Sequence, residues 1–212
     1  MPLAGRNANL RATSLTTTLS TNSAATRSTG VGAANGSVQI NDVTRRYWDD
    51  SSTAFPKLFR AALGSTAQIP TTDYYVNYIE GKFLWRTGDP STGVYTVDTN
   101  YFTATQVAGG REWTINTEVE LFEISEFGSS GWRTFQPNLT GAQATIGRYW
   151  SDSLFFDRVA LSSKFVAEFV VNGTWKYAGF VRVTSDQVGT AVDSIVGETI
   201  NLQVDGPLYF TT

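Results

Sequence analysis

The chain has no histidine and no cysteine among its 212 residues, and a single methionine. Without those side chains there is no Ser-His-Asp or Cys-His nucleophile and no imidazole or thiolate zinc site. A disulfide scaffold is excluded as well. Basic residues are few: the net charge is −3 and the pI is near 5.0. That excludes a protein that grips phosphates with a basic stripe, but not one past which nucleic acid slides. No apolar run approaches the roughly 20 residues a membrane-crossing helix needs. The opening Met1-Pro2-Leu3-Ala4-Gly5-Arg6 lacks the apolar region of a signal peptide, so a cytosolic product is expected. Neither G-x-x-x-x-G-K-[ST] nor G-x-G-x-x-G after a strand occurs, so nothing points to nucleotide phosphates. The expectation is a protein without cofactor, metal or catalytic residue.

What the chain has is strand pattern, with 41% hydrophobic and 13% aromatic residues to fill a core. Near the C-terminus, Phe165, Ala167, Phe169 and Val171 alternate with Lys164, Val166, Glu168 and Val170. After Asn172-Gly173, Trp175, Tyr177, Gly179, Val181 and Val183 alternate in the same way. Period-two runs on both sides of Asn-Gly predict a β-hairpin with its Phe169/Val171 and Trp175/Tyr177 faces buried. A second hairpin is predicted for Tyr75–Tyr78 and Lys82–Trp85 about Glu80-Gly81. Strands are also predicted for Tyr95–Val107 and Glu112–Ile124, joined at Gly109-Gly110, and for Thr145–Trp150 and Glu198–Asp205. Ser151–Leu161 is the best helix, with Leu154, Phe155, Arg158 and Leu161 near a 3.6 period. Phe55–Leu63 carries a weaker helical period. The six tryptophans read as core or interface packing rather than a sugar-binding face.

Residues 1 to 40 differ from the rest. Eleven of the twenty residues from Arg11 to Gly30 are Ser or Thr, and no acid precedes Asp42. Arg6, Arg11 and Arg27 give this stretch a local positive charge. It reads as an N-terminal arm on a single β-rich domain, 41–212, with a long loop at about 49–72. The sequons at Asn35, Asn138 and Asn172 read as chance. Asp49-Asp50-Ser51-Ser52 lacks the frame of a calcium loop and reads as a turn.

Two strands place polar residues on one face and apolar residues on the other. In the first, Glu112, Thr114, Asn116, Glu118 and Glu120 oppose Trp113, Ile115, Thr117, Val119 and Leu121. In the second, Asn201, Gln203 and Asp205 oppose Ile200, Leu202 and Val204. Glu118 and Glu120 lie about 6.6 Å apart at roughly 3.3 Å per residue. An inverting glycosidase could use that separation, but its acid and base flank the substrate from opposite sides. A solvated or electrostatic surface fits these residues better.

Taken together, several blocks resemble the tail tube (major tail) proteins of long-tailed, non-contractile bacteriophages. The opening Ala4-Gly5-Arg6-Asn7-Ala8 looks like the start of that family. Ile40-Asn41-Asp42-Val43-Thr44-Arg45-Arg46-Tyr47-Trp48-Asp49 and Asp73-Tyr74-Tyr75-Val76-Asn77-Tyr78-Ile79-Glu80-Gly81-Lys82 look like its N-terminal strands. Trp132-Arg133-Thr134-Phe135-Gln136-Pro137-Asn138-Leu139-Thr140-Gly141 is similar to the segment entering a central tube strand. Trp175 to Asp205, with Gly206-Pro207-Leu208, resembles the closing sheet.

The resemblance implies a mainly β subunit, an antiparallel sandwich or barrel-like fold with one flanking helix. It implies hexameric rings stacked into a tube, assembled in the host cytoplasm, joined to other tail proteins, with no membrane partner. DNA would pass through without specific binding. On that reading Asn116, Glu118, Glu120, Asn201, Gln203 and Asp205 face the lumen. Arg6, Arg11, Arg27, Trp48, Phe55, Phe59 and Trp132 are candidates for contacts between subunits. The rival readings are a tail terminator, a capsid decoration protein, a fibre domain, or a carbohydrate-binding β-sandwich.

Overall fold

A computed structural model describes residues 9–27, 36–62, 65–86, 94–123, 133, 135–173, 175–190 and 195–211. Arg6, Asn35 and Trp132 lie outside them. The fold is mainly β, built of antiparallel sheets with one α-helix. The chain divides into two units, Met1–Arg11 with Gln106–Thr212, and Ala12–Thr105. It crosses between them within β1 (Asn9–Thr13) and again within β9 (Ala104–Gln106).

The first unit is built on β10 (Gly110–Glu123), β11 (Phe135–Tyr149), β12 (Lys164–Asn172), β13 (Trp175–Gly189) and β14 (Gly197–Val204). Its strand order is β10-β11-β14-β13-β12-β1-β9, and β15 (Tyr209–Thr211) also pairs with β13. One face of this sheet carries the core: Ala144, Ile146, Ile200, Leu202, Val181, Phe165 and Phe169 are all buried. Trp113 of β10 packs on Phe169 of β12 with centroids 5.5 Å apart, although β11, β14 and β13 separate the two strands along the sheet. The sheet therefore curls over its own core, which makes it barrel-like. Helix α1 (Leu154–Leu161) adds Phe155 to that core and lays Arg158 over the Phe165 ring at 3.8 Å. Its Leu161, expected on the inner stripe, is exposed.

The C-terminal hairpin forms as β12 and β13. Asn172 pairs with Trp175, so the turn falls one residue later than Asn172-Gly173, and the Asn172 Oδ1 accepts the Trp175 amide at 2.9 Å. Phe169 is fully buried, whereas Trp175 is 41% exposed. Trp175 stands at the hairpin tip, with its ring 6.4 Å from that of Phe210. Expecting its face to be buried extended the alternation beyond the core.

The second unit has the order β5-β4-β8-β2-β3-β7-β6. The strands are β2 (Thr18–Arg27), β3 (Ser37–Ile40), β4 (Lys57–Ala62), β5 (Ser65–Gln68), β6 (Tyr74–Asn77), β7 (Lys82–Trp85) and β8 (Val94–Tyr101). Its core is largely aromatic. Phe83 touches Trp48 at 5.0 Å and Tyr74 at 4.8 Å, and Trp85 lies 6.1 Å from Tyr95. The β6–β7 hairpin matches the sequence reading, and Gly81 turns it with φ +60°. A Cβ at Gly81 would meet Ile40 Cγ2 at 2.9 Å, so glycine is required there on two counts.

Within the stretch read as an arm, 9–13 and 18–27 are strands paired into the sheets. Ser and Thr favour the half-buried pleated surface of β2, where Ser20 and Ser23 are buried. The segment read as a long loop, 49–72, includes β4 and β5, so Phe55–Leu63 holds a strand and no helix. The single strand expected from Tyr95 to Val107 is divided at Phe102-Thr103 into β8 and β9.

Candidate functional site

Strand register brings four of the six candidate lumen residues side by side. Asn116 lies opposite Gln143, and Gln143 opposite Gln203, which lies opposite Arg182. One row further, Thr114, Thr145, Asn201 and Ser185 stand in line. Glu118 lies opposite Gly141 on the same face. The bulge between Val119 and Leu121 places Glu120 by Asn138, whose amide donates to it at 2.8 Å. The whole array lies on the face opposite the core, because strand side chains alternate.

Hydrogen bonds link the rows into a ladder. Thr145 Oγ1 donates to Asn201 Oδ1 at 2.9 Å, and Asn201 Nδ2 donates to Ser185 Oγ at 2.8 Å. Gln203 Nε2 donates to the Ala142 carbonyl at 3.0 Å. Asn116 donates to the Glu118 carboxylate. Asp205 is engaged by Arg182 at 2.9 Å, so its charge is offset. The face is thus a surface of amides and hydroxyls carrying Glu112, Glu118 and Glu120. Glu118 and Glu120 both stand exposed on this open sheet.

Charged groups also lie on the core side. Arg148 of β11 and Glu198 of β14 face each other, with Arg148 Nε 2.5 Å from Glu198 Oε2 and side chains 0% and 1% exposed. Arg148 also reaches Asp152 Oδ1 at 3.1 Å, and Asp152 accepts the Leu154 amide at the start of α1. One guanidinium therefore ties two strands to the helix. Burial pushes the Glu198 carboxyl up, and Asp186 adds to the rise, against the pull of Arg148. At Asp152 the burial effect is outweighed by the Leu154 amide and Arg148, which hold it below its ordinary value. Burial alone lowers Arg158 to about 10.

Glu168 is a second buried acid. Arg11 of β1 meets its Oε2 at 3.2 Å and Lys176 meets its Oε1. Both of these charged clusters were legible in parity: Glu198 shares that of Ile200 and Leu202, and Glu168 that of Val166 and Val170.

The candidates for contacts between subunits fall in different places. Arg11 engages Glu168 within the chain, and Arg27 is half-buried in β2 opposite Val38. Trp48 is 0% exposed and donates its indole N–H to the Arg45 carbonyl at 2.8 Å, so it serves the core of its own unit. Phe55 and Phe59 are half-buried. Asp49 accepts the Ser51 amide at 2.9 Å and the Ser51 hydroxyl at 2.6 Å, which makes Asp49–Ser52 a turn. Among the described residues no cluster of three or more Asp or Glu side chains is placed to hold a metal.

No family model matches the chain, and no curated protein does. Among solved structures it is similar to a chain in the virion of a native gene transfer agent particle, with TM-score 0.45 and 15% identity, covering 51% of this chain and 89% of that one. It is likewise similar to a chain in the tail of an empty gene transfer agent particle with C6 symmetry, with TM-score 0.45 and 16% identity, covering 52% and 87%. Likeness of this degree assigns no role.

One group of exposed apolar side chains that the sequence did not mark lies on the far half of the β10–β11 hairpin. There Val119, Leu121, Phe122 and Phe135 are 49%, 57%, 54% and 49% exposed. Val119 and Leu121 share one face of β10 and Phe122 points to the other, so the hairpin end is apolar on both sides. The alternation in β10 was visible, but nothing local marks where the core beneath it stops.

Proposed function

We propose that this chain is a structural virion protein, a tail tube subunit of a long-tailed, non-contractile bacteriophage. Six copies would close a ring, and rings would stack into a tube through which DNA leaves. The observation that supports this reading best is the β10–β11 hairpin. Its far half carries four large, exposed apolar side chains, and β10 is the edge strand of its sheet. Such an edge invites pairing with another chain, and apolar surface of this kind marks an interaction site. The family resemblance supplies the ring number and the joining to other tail proteins.

In such a tube the amide and hydroxyl face of β10, β11, β14 and β13 would line the channel. Tight DNA binding draws on Lys and Arg that displace counterions. On this face Arg182 is already paired with Asp205, and Glu118 and Glu120 repel phosphates. DNA would then slide without adhering. Cysteines at 118 and 120 test the orientation, since the chain has none of its own. In intact tubes they are expected to resist a bulky thiol reagent added outside and to react after dissociation. Full labelling of intact tubes would contradict a lumenal face.

A further inference from the structure

We propose that the second unit carries a saccharide-binding cleft, formed where the segment Ser52–Lys57 faces edge strand β6. The cleft measures about 390 Å³ and is lined by the 52–57 segment, by Gln68 and Thr71, by Tyr74, Tyr75, Val76 and Tyr78, and by Arg86. That volume lies in the range of small-molecule sites, about 300–1,000 Å³. Four aromatic residues border it: Tyr75 is 55% exposed and Tyr74 buried, and Phe55 and Tyr78 are half-buried.

Two cations are held against these rings. The Arg86 guanidinium lies 3.9 Å from the Tyr75 ring centroid, and its Nε donates to the Tyr74 carbonyl at 3.2 Å. Lys57 Nζ lies 5.3 Å from the Phe55 centroid. Neither cation has a carboxylate partner among the described residues, so their remaining N–H groups are available to a ligand. Ser52, Thr53 and Thr71 add hydroxyls and Gln68 an amide. At the Tyr78 end, Asp49 and Asp50 lie close enough to help push the phenol upward, after burial.

The chemistry selects among ligand classes. An apolar ligand would leave two cations and several hydroxyls desolvated without partners, which is costly. A simple polyanion would use the two cations but not the aromatic faces. A sugar ring offers apolar C–H faces to aromatic rings, and hydroxyls that both donate and accept. Flat rings, a planar guanidinium fork and mixed hydroxyl and amide groups suit that pattern. The cleft stands independently of the tube reading. If the chain does assemble, repetition of the cleft would turn weak single-site binding into avidity.

Saturation-transfer NMR on the purified chain tests this, with glucose, galactose, mannose, N-acetylglucosamine and glucuronic acid as probes. Transfer to the ring protons of at least one sugar is expected. Tyr75→Ala and Arg86→Ala are each expected to abolish it without changing Tm, since both side chains are exposed. Absence of transfer to every sugar would overturn the proposal, as would transfer that survives both substitutions. Loss of self-assembly in Tyr75→Ala with no sugar binding in the parent would assign the cleft to a contact between copies instead.

Discussion

Phe169→Ala is expected to leave little soluble, folded protein at 37 °C. Phe169 is fully buried in the middle of β12 and carries the Trp113 ring at 5.5 Å. That contact closes the curl of the first sheet, so truncation removes packing from both ends of it. Replacing a buried Phe by Ala costs about 3–5 kcal/mol, a large share of the about 5–15 kcal/mol that holds a domain together. Thermal unfolding followed by near-ultraviolet circular dichroism checks this. A fall in Tm of roughly 10 °C or more is expected, and an unchanged Tm would remove the hairpin from the core.

Arg148→Met should be comparably severe, for a different reason. It leaves Glu198 buried beside Asp186 without its cation, and it cuts the tie from β11 to the start of α1. Breaking one partner of a buried ion pair costs about 3–5 kcal/mol. The deficit should depend on pH. The folded chain holds the Glu198 proton more tightly than the ordinary value of 4.5, so stability from this group is present below that value. It is lost as pH rises through the folded pKa. Removing Arg148 raises that pKa further. The gap between parent and variant in chemical denaturation is therefore expected to widen from pH 4.5 to pH 8. A gap independent of pH would show that Glu198 does not titrate differently in the two.

The parts of the fold that period and turn chemistry determine were legible in the sequence. The Glu80-Gly81 turn and the α1 segment appear where the residues place them, and the strands flanking Asn172 pair with their turn one residue late. The β14 polar face, Asn201 and Gln203, follows from strict alternation over a covered core. Less legible was anything set by distant pairing. Ser and Thr in 11–30 match a solvated arm and a strand surface equally well, and only pairing with β8 and β3 makes β2 a strand. The family resemblance offered Trp48 as an interface residue, yet Phe83, far along the chain, packs against it. The division of 95–107 separates β8 of the seven-stranded sheet from β9 of the other sheet, a change of sheet that no local period encodes. The mixed cleft escaped notice because its rings, at Phe55, Tyr75 and Tyr78, converge only when the second sheet forms.

Negative-stain imaging of the purified protein, beside a Leu121→Asp/Phe122→Ser variant, tests the tube reading most directly. The parent is expected to form rings or tubes with a central hole. The variant alters only exposed side chains of the hairpin, so it should keep its Tm and appear as dispersed single subunits. Dispersed or trimeric parent particles at assembly concentrations, or normal tubes from the variant, would contradict it.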